Sequence, residues 1–439
     1  MNSNHPTYTL VNLANAFLAG PWTLRSVMRR GIRACPQLKH GIRKLAQRLF
    51  AHFGSDSAPE PEAILACLAQ DTLITSYGKH LTMGELFQFR ISMTPRGAAA
   101  RTWKIPAITT TGQLADWLRI TAGELDWLAD RRGLTVKQPS SKLRHYVCHW
   151  QSRRGGRFRL VEAPKAKSRA IQRRILREIL DFIPAHDAAH GCRSGRSIVT
   201  FAAPHAGQSI VMRFDLRDFF PTIPAGRVHA LFRVAGFPYD VARLLTGLCL
   251  SRVPADLWEK RPNPRDDDHT LGECLRGLHL PQGAPTSPAI ANLCAYRLDV
   301  RLHGLAKSAN AVYTRYVDDL AFSGGLELAR AARRFQVAVA VIAAEEGFAL
   351  NFRKSRFMHK GVCQQLAGVV VNAHANVRRT HYDELKATLN NCARHGPQDQ
   401  NRSGHPDFKG HLRGRVAHIR MIHPQGGQKL QALFDRICW

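Results

Sequence analysis

Acidic side chains are scarce in this sequence: 439 residues hold 33 Asp and Glu against 63 Lys and Arg, a formal net charge of +30. None occurs before Asp56. Such a field disfavours cationic partners and favours a polyanion, because each neutralised phosphate releases counterions. Long apolar runs are also missing. The longest, Val337 to Ala344, is far short of the roughly 20 residues a membrane span needs, so a soluble, cytoplasmic protein with no membrane partner is expected. The 10 cysteines are scattered and form no C-x-x-C pair, which fits reduced thiols. His145-Tyr-Val-Cys148-His149 lacks a second ligand cluster at zinc-site spacing, so no zinc is assigned. Internal repeats are absent.

Along the chain, residues 1–55 carry Arg25, Arg29, Arg30, Arg33, Lys39, Arg43, Lys44 and Arg48, implying a basic arm or helix. The stretch Gly54-Ser-Asp-Ser-Ala-Pro-Glu-Pro61 reads as a linker. From Gly112 to Arg132 two amphipathic helices are expected, one with Leu114, Trp117 and Leu118 on its apolar face, the next with Leu125, Trp127 and Leu128. Thr121 and Glu124 form a capping box for the second. Ser168 to Phe182 is a stronger helix, with Ile171, Ile175, Leu176, Ile179 and Leu180 at helical spacing and Arg169, Arg173, Arg174 and Arg177 available to phosphate. Short strands then alternate irregularly with helices, predicting an α+β fold rather than regular βαβ winding.

Three segments carry candidate chemistry. Ile210 to Phe214 reads as a strand that delivers Asp215 at its end. Residues 311–323 read as two β-prone runs meeting at Asp318-Asp319, a hairpin with acids at its tip. By itself each is an ordinary acidic turn, but a third carboxylate, Asp215, on a strand separate from the Asp318-Asp319 tip, in a basic protein where acids are scarce, points to a cation. Hard oxygen ligands favour Mg²⁺, and a pair of such ions suits phosphoryl transfer. Between them, Leu280-Pro-Gln-Gly-Ala-Pro-Thr-Ser-Pro288 brings backbone and the Gln282 amide toward a nucleotide, with Ser287 the expected N-cap and Pro288 in the first helical turn.

In this order, Phe214-Asp-Leu-Arg-Asp-Phe-Phe220, Pro281-Gln-Gly-Ala-Pro-Thr-Ser-Pro288 and Tyr316-Val-Asp-Asp319 resemble motifs A, B and C of the reverse transcriptase palm, and the chain looks most like the bacterial retron-type branch. The likeness runs from about Glu124 to Asn372. Residues 145–172 look like its fingers, and Ala189 to Ser197 resembles the segment preceding motif A. Two marks depart from the branch: its Asn-Ala-x-x-His reads Phe201-Ala-Ala-Pro-His205 here, and its Val-Thr-Gly reads Leu366-Ala-Gly368.

The resemblance implies a right-hand polymerase: a basic N-terminal extension and linker over residues 1–100, fingers and palm over 101–372, and a thumb that tracks RNA or duplex over 373–439. It makes Asp215, Asp318 and Asp319 the catalytic acids and ligands of two Mg²⁺ ions, with Mn²⁺ as a substitute. Gln282 and Phe220 would sit at the sugar of the incoming nucleotide, Phe220 as a gate against a 2′-OH. Arg159, with Arg157 as rival, would hold triphosphate. Lys354 would protonate leaving pyrophosphate. Arg169, Arg173, Arg177 and His205 are the nucleic-acid contacts it suggests. Implied partners are dNTPs, a structured noncoding RNA template, the DNA product or RNA–DNA hybrid, and a separate effector protein in antiphage defence. Rival readings are a non-retron reverse transcriptase, a template-independent DNA polymerase, and an RNA-binding scaffold with a vestigial site. Arg265-Asp-Asp-Asp-His269 has no counterpart in the branch and reads as a solvated loop.

Overall fold

The computed structural model describes residues 6–55, 58–87, 93–137, 141–153, 157–264 and 269–439, so the acidic run at 265–268 lies outside the described residues. Two compact units divide the chain, 1–92 and 93–439.

The first unit is helical: α1 (Pro6–Leu18), α2 (Leu24–Ala34), α3 (Ile42–Phe53), α4 (Pro61–Gln70) and α5 (Thr72–Tyr77). Leu13, Phe17, Val27, Leu45 and Leu49 share one core with Ile64, Leu68 and Ile74. Helices before Gly54 and from Pro61 onward feed that one core, so the expected linker does not separate two units, and Asp56 and Ser57 within it lie outside the described residues. Arg30, expected among the exposed cations of a basic arm, is instead buried and donates to the carbonyls of Ala16, Phe17 and Pro21 at 2.6, 2.7 and 3.1 Å. Its bonds to Ala16 and Phe17 satisfy carbonyls in the last turn of α1, where helical partners run out.

The second unit begins at 93, before the boundary expected at 100. Thr94 N–H donates to Gly236 O and Arg96 N–H to Val234 O, both at 2.9 Å, which ties this stretch to the large unit. Next come α6 (Thr111–Leu118) and α7 (Ala122–Ala129), the latter opened by the expected Thr121–Glu124 capping box. Trp127 departs from the expected apolar face: it is exposed and sets its ring edge-on to His145. An antiparallel hairpin, β1 (Tyr146–Arg153) and β2 (Arg157–Pro164), leads into α8 (Ala166–Glu178) and α9 (Ile198–Ala202).

The centre is a four-stranded antiparallel sheet in the order β4-β5-β3-β6, built from β3 (Ile210–Asp215), β4 (Val312–Tyr316), β5 (Asp319–Gly324) and β6 (Arg356–His359). Alternation along β3 sends Ile210, Met212 and Phe214 into the large core. Val211, on the opposite face, joins Phe201, Ala321, Leu366 and Val369 in another core. Asp215 and Arg213 belong to this second face, so the Asp215 end of the strand is held by packing on both sides of the sheet. Helices α10 (Ala225–Val234), α11 (Tyr239–Cys249), α12 (Ala255–Glu259), α13 (His269–Arg276), α14 (Ser287–Cys294), α15 (Tyr296–Ser308) and α16 (Leu326–Glu345) complete this part.

A short hairpin, β7 (Gln365–Leu366) and β8 (Val369–Val370), precedes α17 (Arg379–His395), α18 (Phe408–Ile422) and α19 (Pro424–Phe434). These three helices bury Leu385, Leu389, Leu412, Val416 and Phe434 in a core of their own.

Candidate active site

Strands β3 and β5 run antiparallel with Asp215 opposite Asp319, and the hairpin between β4 and β5 has a two-residue turn, Val317-Asp318. Asp318 therefore stands at the tip and Asp319 opens the next strand. The Leu216 N–H donates to Asp318 O at 2.8 Å, which joins the tip to the residue after Asp215.

The carboxylates are held differently. Lys354 Nζ lies 2.8 Å from both oxygens of Asp215, and Asn351 Nδ2 donates to it at 3.3 Å. Asp319 receives Arg213, whose Nε and terminal nitrogen donate to Oδ1 at 2.9 and 2.7 Å. Asp318 has neither cation beside it. Burial, followed by the negative charges of Asp319 and Asp215, pushes its carboxyl up to about 6. Burial also raises Asp319, against the opposing pull of Arg213.

Asp215 and Asp318 line a cavity of about 540 Å³ together with Arg159, Phe220, Gln282 and Lys354. Five distant stretches of sequence thus meet in one place. Asp319 is not among the lining residues, and its side chain is engaged by Arg213. The Arg159 guanidinium donates to the Gln282 side-chain carbonyl. A second cleft, about 590 Å³, shares Arg159, Phe220 and Gln282 and adds Arg169 and Arg173 from α8. Arg177 continues the same exposed stripe but lines neither space. The side chain of Arg157 lies outside the described residues.

His205 is a correction. It is fully buried, with Nδ1 2.7 Å from Ser323 Oγ and Nε2 2.7 Å from Thr314 Oγ1, and burial pulls its pKa down to about 3. It is a neutral cross-link beneath the sheet and cannot touch nucleic acid. Ser287 is a second correction: Thr286 occupies the N-cap position and Ser287 is the first residue of α14.

The 281–283 loop is fastened to the β1–β2 hairpin. Glu162 N–H donates to Gln282 O at 2.9 Å, and His279 Nε2 sits 2.8 Å from Glu162 Oε2. Burial opposes charge on His279, but the Glu162 carboxylate and its hydrogen bond outweigh that and leave its pKa raised. Gly283 is required here: its φ is +135°, and a Cβ would lie 2.8 Å from Glu162 O.

Sequence reasoning missed Arg213 as the partner of Asp319. An Arg two positions before a strand-end Asp shares its face, so the signal was present in Arg213-Phe-Asp215. It also missed Trp150, Arg153, Trp258 and Arg261, which line the cavity around Asp215 and Asp318. Trp150 and Arg153 lie on β1, Trp258 on α12 and Arg261 just beyond it, and no motif marks them.

The donors fit a divalent cation in kind, since Asp215 and Asp318 offer hard oxygens that line one cavity. As the side chains stand, no group of three His, Cys, Asp or Glu converges to hold a metal among the described residues. No helix among the described residues is long and apolar enough to cross a membrane.

A four-stranded antiparallel sheet with paired acids at one end, flanked by a fingers hairpin and a Gln-Gly loop, defines a nucleotidyl-transferring palm. Residues 152–390 match the family described as reverse transcriptase (RNA-dependent DNA polymerase). The chain is 34% identical over 345 residues to the retron Mx65 reverse transcriptase of Myxococcus xanthus, covering 77% of this chain and 74% of that one. It is 33% identical over 352 residues to the retron Mx162 reverse transcriptase of the same organism, covering 77% and 69%. Against the retron Ec86 reverse transcriptase of Escherichia coli it is 30% identical over 235 residues, covering 53% and 65%. The chain belongs to the reverse transcriptases of retron type and is an RNA-directed DNA polymerase.

Proposed function

We propose that this polymerase copies a structured noncoding RNA into DNA by two-metal nucleotidyl transfer, with Asp215, Asp318 and Asp319 as its acids, in an antiphage role alongside a separate effector protein. The observation that carries the reading is the meeting of Asp215, Asp318, Phe220, Gln282, Arg159 and Lys354 around one cavity large enough for a nucleotide. Residues 101–372 serve as fingers and palm and 373–439 as thumb.

The reaction joins the primer's 3′-oxygen to the α-phosphorus of a dNTP and breaks the bond to the β-phosphate oxygen. Asp215 and Asp318 would hold two divalent ions, Mg²⁺ or Mn²⁺, which when bound stabilise charge on the entering and leaving oxygens. Arg159 neutralises triphosphate and, through Gln282, is already tied to the loop beside the sugar. Phe220 fills the space a 2′-OH would need. Lys354 reaches the same cavity and supplies a proton to the departing pyrophosphate. Most of the acceleration comes from holding the reacting atoms in line.

The test is to purify the wild type and Asp318→Asn with their bound nucleic acid, sequence both RNA and DNA, and assay dNTP incorporation. One recurring RNA with a complementary DNA is expected from the wild type, and RNA without DNA from the variant. Random RNA, or DNA with no complementary RNA, would point to a general or template-independent polymerase instead.

A further inference from the structure

Arg315 lies wholly inside the protein on β4, and its guanidinium meets four separate segments. Nε and one terminal nitrogen donate to the two oxygens of Asp299 on α15 at 2.8 and 2.6 Å. The other terminal nitrogen donates at 2.9 Å to Asn292 Oδ1 on α14 and at 2.9 Å to the Val317 carbonyl. The ring of Phe219, in the turn after Asp215, is centred 5.7 Å from the guanidinium carbon. Asn292 extends the frame by donating to Gly191 O at 2.8 Å.

Arg315 and Asp299 are both 0% exposed. A buried ion pair of this kind adds little net stability, since desolvation offsets most of the attraction, and well-packed apolar side chains often do as well. What apolar side chains lack is a donor for the Val317 carbonyl. Val317 has φ +58°, a left-handed conformation that a β-branched residue resists and that hairpin turns usually give to Gly, Asn or Asp. Such strain persists only where the surroundings impose it. Gly191 closes the other side: a Cβ there would fall 2.6 Å from both the Val317 nitrogen and its Cγ2. The turn is therefore gripped from two directions, and the next residue is Asp318.

We propose that Arg315 is the positioning residue of Asp318: with Asn292 and Gly191 it imposes the left-handed turn at Val317 and so fixes where the tip carboxylate points. The inference rests on the reading of Asp318 as an acid of the reacting centre. Asn292→Ala removes two bonds of the frame, the one from Arg315 and the one to Gly191 O, and leaves the ion pair intact. Gly191→Ala presses on Val317 without changing charge. Arg315→Lys keeps the buried charge but lacks the fork that serves Asp299 and Val317 together.

The measurements are kcat and KM with dTTP on poly(rA)·oligo(dT), affinity for that duplex, thermal stability, and amide exchange at residues 317–320. Expected for Asn292→Ala and Gly191→Ala are folded proteins whose KM and duplex affinity stay within about twofold. Their kcat falls by about 10²-fold, the scale of a misplacement of about 1 Å, and exchange at the turn quickens. Arg315→Lys should lose at least as much kcat. An unchanged kcat in folded variants overturns the proposal, and so does a loss that merely tracks the unfolded fraction. The reading of Asp318 fails separately, if Asp318→Asn retains wild-type synthesis.

Discussion

Lys354 Nζ sits 2.8 Å from each carboxylate oxygen of Asp215, so the acid that ends β3 is held by a protein cation on one side while Asp318 stands without one. An ammonium so placed competes with any metal for the same oxygens. Lys354→Ala should therefore lower the half-saturating divalent-ion concentration by about two- to fivefold, the scale of a half-exposed pair worth about 0.5–1 kcal/mol. If Lys354 also protonates the leaving pyrophosphate, as proposed, kcat should fall by about 10²-fold in the same variant. Metal titrations of the steady-state rate read both effects, and an unchanged half-saturation would show that the two cations do not compete.

Asp318 links activity to stability. Its carboxyl is raised from 3.8 to about 6 by burial and by its acidic neighbours, so the folded chain holds that proton more tightly than the unfolded chain. Stability from this group is full below about pH 4, declines as pH rises toward about 6, and stays lower above. Asp318→Asn should abolish synthesis yet melt a few degrees higher than the wild type near pH 8, with the gap closing toward pH 4. A variant that melts lower at every pH would refute the electrostatic account.

Phe220 lines both the cavity around Asp215 and Asp318 and the adjoining cleft, beside Gln282. Phe220→Ala removes the ring and should let rNTPs compete with dNTPs, lowering the discrimination ratio by at least about tenfold. Competition assays with dCTP and rCTP measure it directly. If the wild type already incorporates both equally, Phe220 is no gate.

In the N-terminal unit, Arg25, Arg29, Lys39, Arg43 and Lys44 are exposed and pair with no carboxylate among the described residues, whereas Arg33 meets Glu85 and Arg48 meets Asp71. If these free cations meet RNA phosphate, replacing them with Gln should flatten the log–log salt dependence of RNA affinity by about 0.7 per contact on single strands. Equal slopes for the two proteins would direct this surface to a different partner.

The sequence by itself determined the strand–Asp215 unit, the β4–β5 hairpin and the helical stripe of Arg169, Arg173 and Arg177, because strand alternation and helical spacing are local properties that residue order carries directly. The resemblance pointed to Phe220, Gln282, Arg159 and Lys354, and all four line one cavity. Only tertiary structure decided that His205 is a buried cross-link rather than a nucleic-acid contact, since the hydroxyls of Thr314 and Ser323 that satisfy it are more than a hundred residues away. It likewise decided that Arg30 closes a helix instead of facing solvent and that Arg315 reaches Val317 and Asp299 at once. The physical reason is the same in each case. A polar side chain takes the role of whichever partner desolvation leaves it, and the partner is chosen by packing between elements that are distant in the chain.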